Sequence, residues 1–367
     1  MIILHAAPII WGKISGHTAS VPALIAAQNR LPGVEAALLV TRANPEPPPQ
    51  LEFPVFDRKI RLTTADRLDL PVPFDRPDLV VFHSTYVPAH AAVVARLRKA
   101  GIPYVICPRG GMTRFARAYR PWKKRLGNRL FFNRVVSGAV ALHCLTPGEA
   151  EQSSDWHRPT FVVGNGVPLP EEGQLASPGR SSPLRLVFIG RLAVEYKGLD
   201  MLIEACAAIR SELLDRPARL ELHGPSFRGS GKTLARRIAV ARLGEIVALN
   251  GPVLGEAKRD LLRQTDAFVH TSRSEGHPMA VLEALAFGIP CLLTPGTNMA
   301  DEVAAAGAGW KAGPTPEGIA AGLREVMAAD ENCLRQAGIK ARQLAVQRYG
   351  WDQVARGSVE AYRRWAA

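Results

Sequence analysis

Short apolar runs alternate with longer amphipathic stretches along almost the whole chain, and this alternation constrains the fold more than any other feature. An apolar run without polar interruption suits a strand buried on both faces, as in a parallel sheet. The amphipathic stretch that follows suits the crossover helix. In the first half the pattern predicts strands at Ile2–Ala7, Ala36–Val40, Leu79–Phe82, Tyr104–Cys107, Ala139–Cys144 and Phe161–Val163. In the second half it predicts Arg185–Ile189, Arg219–Leu222, Ile246–Leu249, Ala267–His270 and Cys291–Leu293. Helical patterns lie between them, including Leu199–Arg210, Leu234–Leu243 and one starting near Thr18.

At 367 residues the chain exceeds one ordinary core and is expected to form two domains of about 150–200 residues each. Between the two arrays lies Pro168–Pro183, rich in Pro, Gly and Ser and poor in apolar side chains. It reads as a linker. The expected division is a first domain at 1–165, a linker at 166–183, a second domain at 184–349 and a terminal helix at 350–367. The Pro-rich tract Asn44–Gln50 reads as a surface loop inside the first domain. The result is an α/β chain of two Rossmann-like domains. Ligands of such sheets bind beyond the carboxyl ends of the strands, so the interdomain cleft is the expected site.

Hydrophobic residues at 47% and charged residues at 22% exclude wholesale disorder and fibrous repeats. No apolar run approaches the roughly twenty residues of a membrane-spanning helix. The opening MIILHAAPII reads as a strand, lacking the basic flank and cleavage site of a signal peptide. Five scattered cysteines (Cys107, Cys144, Cys206, Cys291 and Cys333) show no paired spacing. They suit a reducing cytoplasm and argue against a disulfide framework or a metal site. Residues 1–170 carry 21 Lys/Arg against 11 Asp/Glu, net +10, and residues 171–367 carry 25 against 22, net +3. A basic first half implies an anionic partner, which composition leaves open among nucleic acid, a membrane surface and a phosphorylated substrate.

The most informative segment runs from Thr271 to Pro290, directly after a predicted strand. Pro278 suits the first helical position, and Gly288 with Pro290 ends the helix. Glu275 then lies just before the helix and Glu283 within it, while the N–H groups of Met279 and Ala280 point out of its start, where a phosphate binds well. Two carboxylates would repel a phosphate but accept from the hydroxyls of a sugar or ribose. Taken singly, Glu275 reads more readily as a capping residue and Glu283 as a solvated helix face. Upstream, a strand leads into a loop holding Gly190, Arg191, Lys197 and Gly198. There two cations could clamp a diphosphate, or simply be solvated. After the first strand, Gly12-Lys-Ile-Ser-Gly16 allows close backbone approach to a ligand but does not form the GxGxxG fingerprint of dinucleotide enzymes. The stretch Gly224–Thr233 resembles a P-loop only superficially, since Ser226 stands where its first glycine is required.

Together these residues resemble the retaining nucleotide-sugar glycosyltransferases of glycosyltransferase family 4, with the GT-B fold of two facing Rossmann-like domains. The resemblance covers almost the whole chain and is strongest from Asn165 to Trp310. The family's paired glutamates match Glu275 and Glu283, and its Gly-Arg, spacer, Lys-Gly element matches Gly190, Arg191, Lys197 and Gly198. Its interdomain Asn-Gly-Val matches Asn165-Gly166-Val167, and its N-terminal glycine loop matches Ser15-Gly16. The stretch from Trp351 to about Trp365 is similar to the helix that crosses back onto the first domain.

The resemblance implies a nucleoside-diphosphate sugar donor of UDP or GDP type, no metal, no further cofactor, and a glycan or lipid-diphosphate acceptor. It implies that Glu283 holds the ribose, and that Arg191, Lys197, Ser15, Gly16 and the N–H groups of Met279 and Ala280 hold the diphosphate, beside Gly190. Glu275 would hold the transferred sugar, making Arg191, Lys197 and Glu275 the catalytic set. Many members carry a histidine after the fifth strand of the first domain. Here that strand runs into Cys107-Pro-Arg-Gly-Gly-Met112, so Arg109 stands in its place and His83 is the second acceptor-side candidate.

The stretch Arg109–Arg134 holds nine Lys/Arg and no acid, with Trp122, Leu126 and Leu130 at helical spacing. It reads either as a helix packed on its own domain or as a contact for an anionic membrane on the cytoplasmic face or for a lipid-diphosphate acceptor. Nucleic acid fits less well, since no binding module accompanies the charge. The rival readings are a nucleotide-sugar 2-epimerase of the same fold, a non-catalytic sugar- or anion-binding protein, and a dehydrogenase, which the missing fingerprint disfavours.

Overall fold

A computed structural model describes the chain apart from residues 13–15, 43–46, 58–66, 119–126, 128–131, 180–181 and 367. It divides into two units, Met1–Gly166 with Trp351–Ala367, and Val167–Gly350.

The first unit is built on strands β1 (Ile2–Ala7), β2 (Glu35–Val40), β3 (Val55–Asp57), β4 (Leu79–His83), β5 (Tyr104–Cys107), β6 (Ala141–Cys144) and β7 (Thr160–Val162). They pair in the order β3-β2-β1-β4-β5-β6-β7, every pairing parallel. The chain runs outward from β1 to β3 and returns to β4 on the other side of β1, so the strand order reverses between β1 and β4. A parallel sheet opens a crevice at the carboxyl ends of two such strands. Every residue of β4 is buried, as a central strand covered on both faces requires. Alternate side chains feed two cores, Val80 and Phe82 on one face and Leu79 and Val81 on the other.

The second unit repeats the plan with β8 (Leu184–Ile189), β9 (Ala218–His223), β10 (Val247–Asn250), β11 (Ala267–His270), β12 (Cys291–Leu293) and β13 (Gly309–Lys311). Their order is β10-β9-β8-β11-β12-β13, again all parallel, with the reversal between β8 and β11. Leu186 and Phe188 enter one core, Val187 and Phe268 the other.

Several expectations need correction. The sequence pattern missed β3 and β13, edge strands of three residues each with no residue buried. The helix expected near Thr18 begins at Gly16, and those expected at Leu199–Arg210 and Leu234–Leu243 run Leu199–Ala208 and Ser230–Val240. The stretch expected as a linker at 166–183 belongs to the second unit from Val167 onward. Its backbone is tied down there. Val167 N donates to Tyr349 O (2.7 Å), Ala176 N to Phe287 O (2.8 Å), and Gly179 N to the buried carboxylate of Asp266 (2.6 Å). The terminal helix Trp351–Arg363 packs on the first unit, with Val359 and Tyr362 in its core.

Candidate functional site

In the second unit the loops leaving β8 and β11, the strands at the reversal, are stitched together. Gly190 N donates to His223 O (2.9 Å), and Gly224 backs Gly190 so closely that a Cβ there would lie 1.8 Å from the Gly190 carbonyl. The short helix Val194–Lys197 ends at Gly198, whose left-handed φ of 61° suits glycine. A Cβ on Gly198 would come within 2.1 Å of the Thr271 carbonyl. Thr271 Oγ1 donates to the Lys197 carbonyl (3.1 Å) and Arg273 N to the Tyr196 carbonyl (2.9 Å), while the Arg273 guanidinium forks onto Asp200 with both contacts at 2.8 Å.

The stitching brings Lys197 against Glu275, whose side chains are 15% and 16% exposed. Three donors converge on one carboxylate oxygen, Glu275 Oε1. They are Lys197 Nζ, Ser272 Oγ (2.7 Å) and His270 Nε2 (3.2 Å). Glu275 Oε2 accepts from none of the described residues and keeps its lone pairs open. Asn298 Nδ2 holds the Glu275 backbone carbonyl (2.6 Å). Burial opposes ionisation of Glu275, but the Lys197 charge and the His270 and Lys197 hydrogen bonds outweigh it, so the carboxyl sits well below its usual range. Burial and then Lys197 push the His270 imidazole down. It is therefore neutral and donates from Nε2, while its buried Nδ1 has no partner among the described residues.

Arg191 is exposed, its guanidinium 4.8 Å from the Phe227 ring centre and paired with no carboxylate among the described residues. The helix after Glu275 runs Met279–Ala286, with no acid in its first turn. Pro278 is its N-cap, not its first residue as expected, because Val281 N and Leu282 N bond to the Pro278 carbonyl (3.0 and 3.2 Å). The N–H groups of Met279 and Ala280 precede the first intrahelical bond and point out of the helix start. Glu283, on the same helix, meets Lys258 Nζ at 2.6 Å. Glu275, Lys197, Arg191, Met279, Ala280 and Glu283 thus all lie in the second unit, the first five at or just beyond the carboxyl ends of β8 and β11.

In the first unit, Gly16 opens the helix Gly16–Asn29 after β1, while Ser15 lies outside the described residues. Beyond β4 and β5 three non-glycine residues hold left-handed backbone, Ser84 (φ 75°), Tyr86 (φ 59°) and Arg109 (φ 52°). Strain of this kind gathers where a site over-determines its geometry. Arg109 Nε donates to His83 Nδ1 (3.2 Å), and Nη1 to Ser20 Oγ (2.9 Å) and Asn165 Oδ1 (3.1 Å). All three partners are neutral. The buried Glu149 fastens the turn, accepting from Gly110 N and from Leu145 N (2.7 Å). His83 is completely buried with both ring nitrogens engaged, so it meets the surface only through Arg109.

Sequence reasoning missed His270, Ser272, Asn298, Glu149 and His5. None stands in a spacing that signals chemistry, and each matters only through a contact made in the fold. Of the basic stretch, Trp122, Leu126 and Leu130 lie outside the described residues. Within it Arg114 and Arg117 both pair with Asp155, which offsets part of the charge. Among the described residues no cluster of His, Cys, Asp and Glu could hold a metal, and no helix is long and apolar enough to cross a membrane.

Two family models match the chain, a glycosyl transferase 4-like domain over residues 15–166 and glycosyl transferases group 1 over residues 183–329. The D-inositol 3-phosphate glycosyltransferase of Arthrobacter sp. (strain FB24) is 26% identical over 245 residues, 62% of this chain and 56% of the relative. The GDP-mannose:cellobiosyl-diphosphopolyprenol alpha-mannosyltransferase of Xanthomonas oryzae is 29% identical over 214 residues, 55% of this chain and 53% of that protein. The chain spans about half the length of the curated relatives it matches. The crystal structure of Anabaena HepE in complex with UDP-glucose superposes with a TM-score of 0.72 at 18% identity, over 99% of this chain and 100% of that one. Two parallel α/β units matched in this order by these two families make the chain a GT-B protein of glycosyltransferase family 4.

Proposed function

We propose that the protein is a retaining glycosyltransferase that moves a sugar from a nucleoside-diphosphate sugar to a phosphorylated glycan or lipid-diphosphate acceptor without a metal. The observation that carries this reading is the buried Lys197–Glu275 pair, one carboxylate oxygen left open, beside the uncompensated Arg191. Glu275 Oε2 would accept from sugar hydroxyls and set the anomeric carbon, and Glu283 would accept from the ribose. As the bond from the anomeric carbon to the diphosphate breaks, negative charge grows on the leaving oxygen. Arg191, Lys197 and the N–H groups of Met279 and Ala280 would stabilise that charge more in the transition state than in the ground state. The new bond would form on the same face, the acceptor hydroxyl passing its proton to the departing diphosphate.

On the acceptor side, Arg109 supplies a cation held by neutral partners, suited to a phosphate. The Xanthomonas relative, named for transfer to a diphosphopolyprenol-linked sugar, supports an acceptor of this kind. The basic residues of 109–134 would favour an anionic lipid surface, read as vesicle binding that rises with anionic lipid and weakens in salt. The test of the main reading is release of nucleoside diphosphate across a panel of nucleotide sugars. Hydrolysis of at least one donor, abolished in Arg191→Ala, supports it. No hydrolysis and no donor-induced rise in Tm anywhere on the panel would overturn it.

A further inference from the structure

Arg109 can only donate hydrogen bonds, and the carbonyl of Ala355 in the terminal helix can only accept them. An unbroken chain of polar groups joins the two through the core of the first unit. Arg109 Nε donates to His83 Nδ1 (3.2 Å), and His83 Nε2 lies 2.8 Å from His5 Nδ1. His5 Nε2 lies 2.8 Å from Gln28 Oε1, Gln28 Nε2 donates to Ser358 Oγ (2.9 Å), and Ser358 Oγ donates to Ala355 O (2.8 Å). His5, Gln28, His83 and Ser358 are all fully buried.

Because both ends of the chain are one-signed, only one arrangement leaves no two donors facing each other. His83 Nδ1 must be a lone pair, so its proton is on Nε2. His5 must accept on Nδ1 and carry its own proton on Nε2. The Gln28 carbonyl must then face His5, which turns its amide to Ser358 Oγ, a hydroxyl that accepts there while it donates to Ala355 O. Turning the Gln28 amide over would reverse the order. His5 Nδ1–H would donate to His83 Nε2, and His83 Nδ1–H would then confront the Arg109 guanidinium. Burial, joined by the charge of Arg109, pushes His83 well below 6.5, and burial with the neighbouring His143 and Arg109 pushes His5 down to about 3. Both imidazoles are therefore neutral, as the chain demands. Such a chain desolvates four polar side chains where apolar ones would pack more favourably.

We propose that His5 and Gln28 are positioning residues for Arg109, fixing the tautomer of His83 and so the place of the guanidinium, with Ser358 of the terminal helix orienting the Gln28 amide. With Nε and Nη1 held by His83, Ser20 and Asn165, Nη2 is the guanidinium nitrogen that, among the described residues, is left to meet a phosphate oxygen. The inference rests on the reading of Arg109 as an anion-binding residue, and the experiment separates the two. Protein labelled with 15N-histidine gives the tautomers of His5 and His83 directly from long-range 1H–15N spectra at pH 7. Inorganic phosphate, titrated into the same sample, reports on Arg109 through the His83 signals. The expected result is a single Nε2–H tautomer for both rings. Phosphate should shift His83 in the wild type and leave it unmoved in Arg109→Ala. In Gln28→Leu the His83 tautomers should mix and phosphate should bind on the order of tenfold more weakly. Ser358→Ala should weaken it in the same direction, and Ser358→Thr, which keeps the hydroxyl, should restore wild-type binding. An Nδ1–H or protonated His83 in the wild type, or unchanged tautomer and phosphate affinity in Gln28→Leu, would overturn the proposal. A correct tautomer with no phosphate response would instead overturn the anion-binding role of Arg109.

Discussion

Acidification from pH 7.5 to pH 5.0 should destabilise the first unit steeply, because its core includes His83 and three further imidazoles that fold only as the neutral form. His5, His90 and His143 are 0%, 2% and 2% exposed. Burial pushes His5 and His90 down to about 3 and His143 to about 4, against about 6.5 in an unfolded chain. Below that unfolded value the unfolded chain takes up a proton at each ring while the folded one does not. Stability is therefore complete above about pH 6.5 and falls as the pH drops toward the folded values. At pH 5 each ring costs about 2 kcal/mol, so the three together cost about 6 kcal/mol. Glu149 works the other way, since burial raises its carboxyl in the folded state, and it offsets part of the slope. Measured against a typical domain stability of about 5–15 kcal/mol, the loss removes a large share of this unit's stability by pH 5. Urea unfolding of the full chain, followed by circular dichroism at half-unit steps of pH, would measure it. His90→Gln, which can keep the bond to Thr41, should flatten the slope by about one proton, or 1.4 kcal/mol per pH unit. A change below about 1.5 kcal/mol between pH 7.5 and 5.0, or an unaltered slope in His90→Gln, would refute the reasoning.

The other predictions concern the second unit. Glu275→Ala should lower kcat by roughly a hundredfold or more with a smaller change in donor KM, whereas Glu283→Ala should mainly raise donor KM, since it would remove binding shared by ground and transition states. Steady-state kinetics decide this, and near-normal turnover in Glu275→Ala would contradict the assignment. Turnover should persist in excess EDTA, because fixed cations and a helix start would take the place of a metal at the diphosphate. Full loss in chelator with recovery on adding a divalent ion would count against that. Gly198→Ala should destabilise the second unit by about 2 kcal/mol or more, since its Cβ would press on the Thr271 carbonyl from a left-handed backbone. Thermal unfolding would measure the cost, and an unchanged Tm would show that the two loops are not locked together as described.

The sequence alone determines the two-unit parallel α/β plan, because strands such as Leu79–His83 must be apolar on both faces and the helices between them on one. Edge strands β3 and β13 escape that logic, since a half-covered strand of three residues need not be apolar. The segment 167–183 reads as a linker because its composition is polar, yet its backbone groups bond into the second unit, and a backbone bond leaves no mark on side-chain composition. The positions of Glu275, Lys197 and Arg191 are legible from glycines, prolines and charges at loop and helix boundaries. That Lys197 lies against Glu275, 78 residues away, is decided by tertiary structure, where Gly198 leaves just enough room for the Thr271 carbonyl. The same holds for the first unit, where nothing in the sequence marks His5, Gln28 or Ser358. Their meaning is in the direction of a hydrogen bond, and that direction exists only once strand, helix and terminal helix have closed around them.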